Sequence, residues 1–183
     1  MLKKLLTPIF LLVCLLSIPS FFYFYFSTQP AFGETVDSRV NYELPYPGIL
    51  PDNPLYRVKS ARDSIMQWMM RDNIKKAHLR LQISDKKVRG AQMLLKDKDY
   101  KRAEDILEDG EQMFEKAIED ALNAKEQGAS PTSEFKEKLK FSNLKHKEVI
   151  IDIIKSVPAS ARDGFRESLR QNQENAEKLA ATL

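Results

Sequence analysis

The sequence predicts an all-α fold: an antiparallel helical bundle of four long helices plus a shorter first helix, preceded by a proline-rich extended leader. Three observations carry this. Between Asn73 and Glu126, apolar and small residues recur at alternating intervals of three and four, the period of one helix face. The polar or proline-containing breaks at Lys96–Asp99, Gly128–Pro131 and Val157–Ser160 are short connections, as antiparallel neighbours require. Charge also reverses between successive stretches. Asn73–Lys98 has eight Lys or Arg and two acids, whereas Asp99–Glu126 has four Lys or Arg and ten acids.

The 183 residues leave room for one ordinary domain and a targeting segment. Lys3 and Lys4 precede LLTPIFLLVCLLSIPSFFYFYF, residues 5–26, which is uncharged and long enough to cross a bilayer as a helix. Residues 1–33 therefore read as a membrane anchor or a signal peptide. Length favours the anchor, while Ala31-Phe32-Gly33 before Glu34 offers a cleavage site. Pro8 and Pro19 are tolerated in a spanning helix. In both cases the two lysines hold the amino terminus in the cytoplasm and the remainder faces outward. Cys14, the single cysteine, lies inside the apolar segment, so the exported part has no thiol for a disulfide. Beyond Gly33 there are 27 basic and 26 acidic residues, a balance that speaks against a nucleic-acid partner.

Residues 34–43 lack sustained periodicity and read as a spacer, with the helical domain at 44–183. The leader, LPYPGILPDNPLY at 44–56, opens that domain. Pro45, Pro47 and Pro51 restrict φ and extend the residues before them, and Gly48 supplies a turn between two stiff halves. Asp52 or Asn53 is placed to cap the first helix with Pro54 as its first residue. Leu55, Val58, Ile65, Trp68 and Met69 then give that helix one face to bury as far as about Met70. Asp72 or Asn73 recaps the chain.

Ile74, Ala77, Leu81, Ser84, Val88, Ala91 and Leu95 form the seam of the next helix. Tyr100, Ala103, Leu107, Gly110, Phe114, Ala117, Ala121 and Ala124 repeat it. Opposite flanking charge favours these two as neighbours, with seam burial dominating stability. Ser130 is a candidate cap before Pro131. The fourth helix carries Phe135, Leu139, Ile150, Ile153 and Ile154, and the last carries Phe165, Leu169, Ala176, Leu179 and Leu183 on one side.

The leader LPYPGILPDNPLY, followed by Lys59 and Arg62-Asp63, and later by Lys75-Lys76-Ala77, Leu79, Leu81 and Ser84-Asp85-Lys86, resembles an uncharacterised domain family of bacterial exported and cell-surface proteins. The resemblance covers about 42–125 and implies a helical fold at a bacterial cell envelope, with no known reaction, substrate or cofactor. Asp72-Asn73 stands where relatives often have a DP step, and Ser84 where Ala is usual. The expected location is the bacterial cell membrane, single-pass with the C-terminal domain extracytoplasmic, or outside the cell after cleavage following Gly33.

No phosphate loop, dinucleotide glycine motif, HExxH site or nucleophile elbow is present, so no cofactor and no catalytic group is assigned. His78 and His146 lie in Lys-rich sequence outside any local ligand cluster and read as surface or structural. Glu104, Asp105, Glu108, Asp109 and Glu111 read as a solvated face or as salt-bridge partners of the basic helix. Lys75, Lys76, Arg80, Lys86, Lys87 and Arg89 read as their counterparts, with an anionic envelope component as the competing reading. The candidate docking or interaction residues are Tyr42, Leu44, Pro45, Tyr46, Pro47, Gly48, Ile49, Leu50, Pro51, Asp52, Pro54, Leu55 and Tyr56 of the leader, and Trp68. The leader fits either docking over helix ends or display to a protein partner. Trp68 with Met66, Met69 and Met70 fits core packing or an adaptable binding surface. A homodimer and a monomer are both compatible with the seams. The function expected is a non-enzymatic extracytoplasmic scaffold or protein-interaction module, with a ligand-binding or sensory module as the alternative.

Overall fold

The computed structural model of the protein describes residues 40–182. The apolar segment 5–26, the step after Gly33, the spacer up to residue 39 and Leu183 lie outside the described residues. Among the described residues there is no strand, and the α-helices are α1 Tyr56–Met69, α2 Asn73–Leu94, α3 Tyr100–Glu126, α4 Ser133–Ser156 and α5 Arg162–Thr182. Short 3-10 turns occupy Leu95–Asp97 and Ala159–Ala161. The architecture is thus the expected one: four long helices, a shorter first helix and an extended leader. No described helix is long and apolar enough to cross a membrane.

Helix starts follow the local chemistry. Asp72 caps α2 by accepting from the Lys75 amide, and Asp99 caps α3 by accepting from that of Arg102. Two caps differ from expectation. Thr132, not Ser130, caps α4 through the Phe135 amide at 3.2 Å, and Pro131 is buried just outside the helix. The first helix begins at Tyr56 after a turn, and Asn53 Oδ1 accepts from the Leu55 amide at 2.9 Å while Pro54 stays in the turn. Lys98, with φ of 58°, reverses the chain between α2 and α3.

Register shows how the long helices pair. Asn73 meets Gln127, Arg80 meets Asp120, Ser84 meets Gly110 and Lys87 meets Asp109, so α2 and α3 run antiparallel along their length. Asn143 and Asn172 exchange bonds between α4 and α5. Across the two hairpins the pairing is parallel: His78 stacks on Phe135 and Asp85 meets His146 (α2 with α4), while Glu111 meets Asn172 and Glu115 meets Lys178 (α3 with α5). The helices therefore stand in the order α2, α3, α5, α4 around the bundle.

The opposite charges of α2 and α3 do meet. Asp120 lies 2.9 Å from Arg80 and 3.9 Å from Lys76, and Asp109 lies 3.0 Å from Lys87. Burial pushes the Asp120 carboxyl up, and the two cations oppose that shift.

The core has two apolar halves. One gathers Val88, Ala91, Leu94, Leu107, Ile150, Ile153 and Phe165 with Tyr42 and Leu44 of the leader. The other gathers Ala77, Leu81, Phe114, Ile118, Phe135 and Leu139. Each fully buried aromatic or aliphatic side chain contributes roughly 1.5–3 kcal/mol. Between the halves lies a layer of buried polar groups: Ser84, Asp85, Glu111, Ser142, Asn143, His146, Asn172 and Asn175.

Candidate functional site

The leader is docked, and its prolines keep it from becoming a helix. Tyr42, Leu44 and Pro47 are buried, Pro45, Leu50, Pro51 and Tyr56 are half-buried, and Tyr46, Gly48, Ile49, Asp52, Pro54 and Leu55 are exposed. Gly48 turns the chain at φ of +71°, a conformation that L side chains rarely adopt. Gly90 of α2 makes the seat, since a Cβ there would lie 3.0 Å from Ile106 Cδ1 and 3.3 Å from Leu50 Cδ2. Docking starts inside the stretch read as spacer: the Val40 amide donates to Glu148 at 2.9 Å, and the Tyr42 hydroxyl donates to Asp85 at 2.5 Å. Lys59 of α1 closes the other end, donating to the Pro47 and Ile49 carbonyls at 2.6 and 3.0 Å. Burial lowers the pKa of that lysine, opposed by nearby Asp63.

The first helix faces the wrong way for a core helix. Leu55, Val58, Ile65, Trp68 and Met69, expected to be buried, are all exposed, Trp68 to 85%, and α1 has no buried residue at all. Its half-buried side carries Tyr56, Lys59, Asp63, Met66, Gln67 and Met70. Polar bonds hold that side: Lys59 to the leader, and Gln67 to Arg80 of α2 at 3.3 Å. At 100° per residue, Trp68, Ala61, Ile65, Val58 and Met69 fill an outward arc of about 100°. Core packing is therefore the wrong reading of Trp68 and Met69. Periodicity showed that an apolar face exists, and the bundle covers the opposite one. A shallow depression beside this face is lined by Trp68, Met69 and Arg71.

The polar layer is the second feature, and it assembles side chains distant in sequence. His146 of α4 sits between two carboxylates, with Nδ1 2.9 Å from Glu111 Oε1 and Nε2 3.1 Å from Asp85 Oδ1. Asp85 also accepts from Ser142 at 2.6 Å and from Tyr42. Glu111 also accepts from Asn172 and Asn175, each at 3.3 Å. His146 and Glu111 are fully buried. Glu111 is thus no part of a solvated acidic face.

Both imidazole nitrogens lie within hydrogen-bonding distance of carboxylate oxygens, an arrangement that a doubly protonated ring satisfies with two donors. Burial alone pulls the His146 pKa down, but Glu111 and Asp85 outweigh it and push it up to about 9. Imidazolium is the form at neutral pH. Burial, reinforced by Asp85, raises the Tyr42 phenol, which keeps its proton and remains a donor. Ser, His and Asp are therefore neighbours without being a nucleophilic triad. Nε2 donates to Asp85 rather than accepting from Ser142, and the serine proton goes to the same carboxylate. Among the described residues no group of His, Cys, Asp and Glu is placed to hold a metal ion. The layer ties α2, α3, α4 and α5 together and, through Tyr42, joins the leader to them.

Asp85, Glu111, Ser142, His146, Asn172 and Asn175 were missed as a unit by sequence reasoning. A signal was there: Ser142 and His146 fill the two turns skipped between Leu139 and Ile150, and Asn172 fills the step skipped between Leu169 and Ala176. His78, the other histidine, is exposed and stacks on Phe135.

No curated protein and no solved structure matches the chain. The sequence model of a family described as a domain of unknown function (DUF5667) matches residues 48–182, from Gly48 inside the leader to the end of α5, so Leu44–Pro47 of the leader lie outside the match. That match takes in all five helices and most of the chain, so the protein belongs to the DUF5667 family.

Proposed function

We propose that the chain is a non-catalytic interaction module held outside the cytoplasmic membrane of a bacterial cell, in which the bundle is a rigid platform and α1 is the binding element. One observation supports this above the others: the apolar arc of α1, with Trp68 85% exposed, is turned away from the core. Apolar and aromatic side chains gathered on one exposed helix face, instead of scattered singly, are the form in which a helix presents anchors to a binding surface. The titratable cluster, by contrast, is sealed in the interior, where it holds the leader against α2 and faces no solvent. The uncharged segment 5–26 behind Lys3 and Lys4 supports export, whether it is retained or cleaved.

Thiol labelling in intact cells tests this. In a Cys14→Ser background, Ile65→Cys and Glu177→Cys report the α1 face and an exposed position on α5. With a membrane-impermeant maleimide, Glu177→Cys labels equally in cells and after purification. Ile65→Cys is protected in cells and reactive once purified. Equal reactivity of Ile65→Cys in both settings overturns the binding role of α1, and failure of Glu177→Cys to label in intact cells overturns the extracytoplasmic placement.

A further inference from the structure

The outward arc of α1 has a chemistry that narrows its occupant. Its side chains are Trp68, Ile65, Val58 and Met69, with Leu55 just before the helix, and none but the indole N–H offers a hydrogen bond. Arg57 and Arg62 fall on the two flanks of this arc at helical spacing, and exposed Arg71 follows its end. Asp63 pairs with Arg62 at 2.7 Å, but Lys59 and Lys86 share the surroundings of that carboxylate, so the rim stays positive. An apolar stripe with tryptophan, edged by arginines, is the arrangement of a helix lying in the headgroup layer of a bilayer. Indole favours that boundary, and arginine stems reach back to phosphates.

Two further observations favour lipid over a protein surface. As a strip the arc is about 21 Å long and 10 Å wide, well short of the roughly 800 Å² that each partner gives to a stable protein dimer. A bilayer needs no such matching area, because the apolar segment 5–26, when retained, would raise the local concentration of membrane. Residues 27–39 reach at most about 45 Å when extended, so a retained segment keeps the bundle near the surface it would dock on.

We infer that α1 docks on the surface of an anionic phospholipid bilayer, with Trp68, Ile65 and Val58 at the acyl boundary and Arg57, Arg62 and Arg71 on lipid phosphates. This rests on α1 being the binding element. The bundle would then lie against the membrane that carries it instead of swinging free on its linker.

Trp68 is the only tryptophan, so its emission reports this face alone. The full chain is reconstituted in lipid discs of phosphatidylglycerol or of phosphatidylcholine, with and without bromine on the acyl chains. On phosphatidylglycerol, Trp68 emission moves to shorter wavelength and is quenched by bromine. Each of Arg57→Gln, Arg62→Gln and Arg71→Gln lowers the docked-to-undocked ratio about fivefold, and Ile65→Gln abolishes the shift with helix content unchanged. Emission that stays at the hydrated position on phosphatidylglycerol overturns the inference, as does equal docking on phosphatidylcholine. A blue shift that grows with chains per disc and ignores bromine also overturns it, identifying a second copy as occupant. In these failures, protection of Ile65→Cys in cells would leave the interaction module standing with another partner, whereas loss of that protection would remove both.

Discussion

Replacing His146 with Gln gives the sharpest test of the buried layer, because the effect must change with pH in a known direction. His146 is fully buried and its pKa is pushed up to about 9 from an ordinary 6.5. At about 1.4 kcal/mol per unit, this is worth about 3 kcal/mol. The folded-state pKa is the higher one, so the stabilisation is complete below about pH 6.5 and is lost as pH rises through 9. Lys59 and Lys86, whose pKa values burial lowers, titrate in both proteins and cancel from their difference. The assay is urea unfolding of the compact unit Asp37–Leu183, followed by circular dichroism, for wild type and His146→Gln across this range. The stability gap between them should narrow by about 3 kcal/mol from about pH 6 to about pH 10. A gap that is constant with pH would refute a charged His146 between Glu111 and Asp85.

Three other substitutions probe separate parts of the account. Tyr42→Phe removes a bond to a buried carboxylate and should cost about 2 kcal/mol, with faster hydrogen exchange of the Val40 amide; unchanged exchange would show that the tyrosine does not hold the leader. Gly48→Ala meets nothing within 4 Å, so its expected loss of about 1 kcal/mol is backbone strain alone, and Gly48→Asn should cost less, because asparagine tolerates the left-handed region. Ile65→Asp should shift stability by under about 0.5 kcal/mol, as at an exposed site, while Leu107→Ala in the core costs about 2–5 kcal/mol. Comparable losses for the two would place the α1 face in the core.

The helices were legible because burial imposes a period on sequence. Ala77, Leu81, Val88 and Ala91 of α2 and Ala103, Leu107, Phe114 and Ala117 of α3 form the buried seams expected of them. The charge reversal between those stretches found its outlet in Asp109 and Asp120. That the leader is not helical was legible in its prolines, but where it docks was not: it lies against the middle of α2 at Asp85 and Gly90 rather than over helix ends. Tyr42 is anchored by Asp85, 43 residues away, and nothing local marks either residue. Glu111 was misplaced because an acid in an acidic helix resembles its exposed neighbours, and only the histidine opposite it accounts for its burial. For α1, periodicity identified the apolar stripe, and what covers a stripe is a tertiary fact absent from the helix itself.

The proposed role of α1 depends most on where Trp68 points. As the sole tryptophan, it makes the emission spectrum and acrylamide quenching of the unit Asp37–Leu183, kept monomeric by dilution, the most direct measurement. An outward α1 face predicts the red emission of hydrated indole and unhindered quenching. Blue-shifted emission shielded from acrylamide would contradict it, returning the α1 stripe to the core and removing the surface on which the proposed function rests.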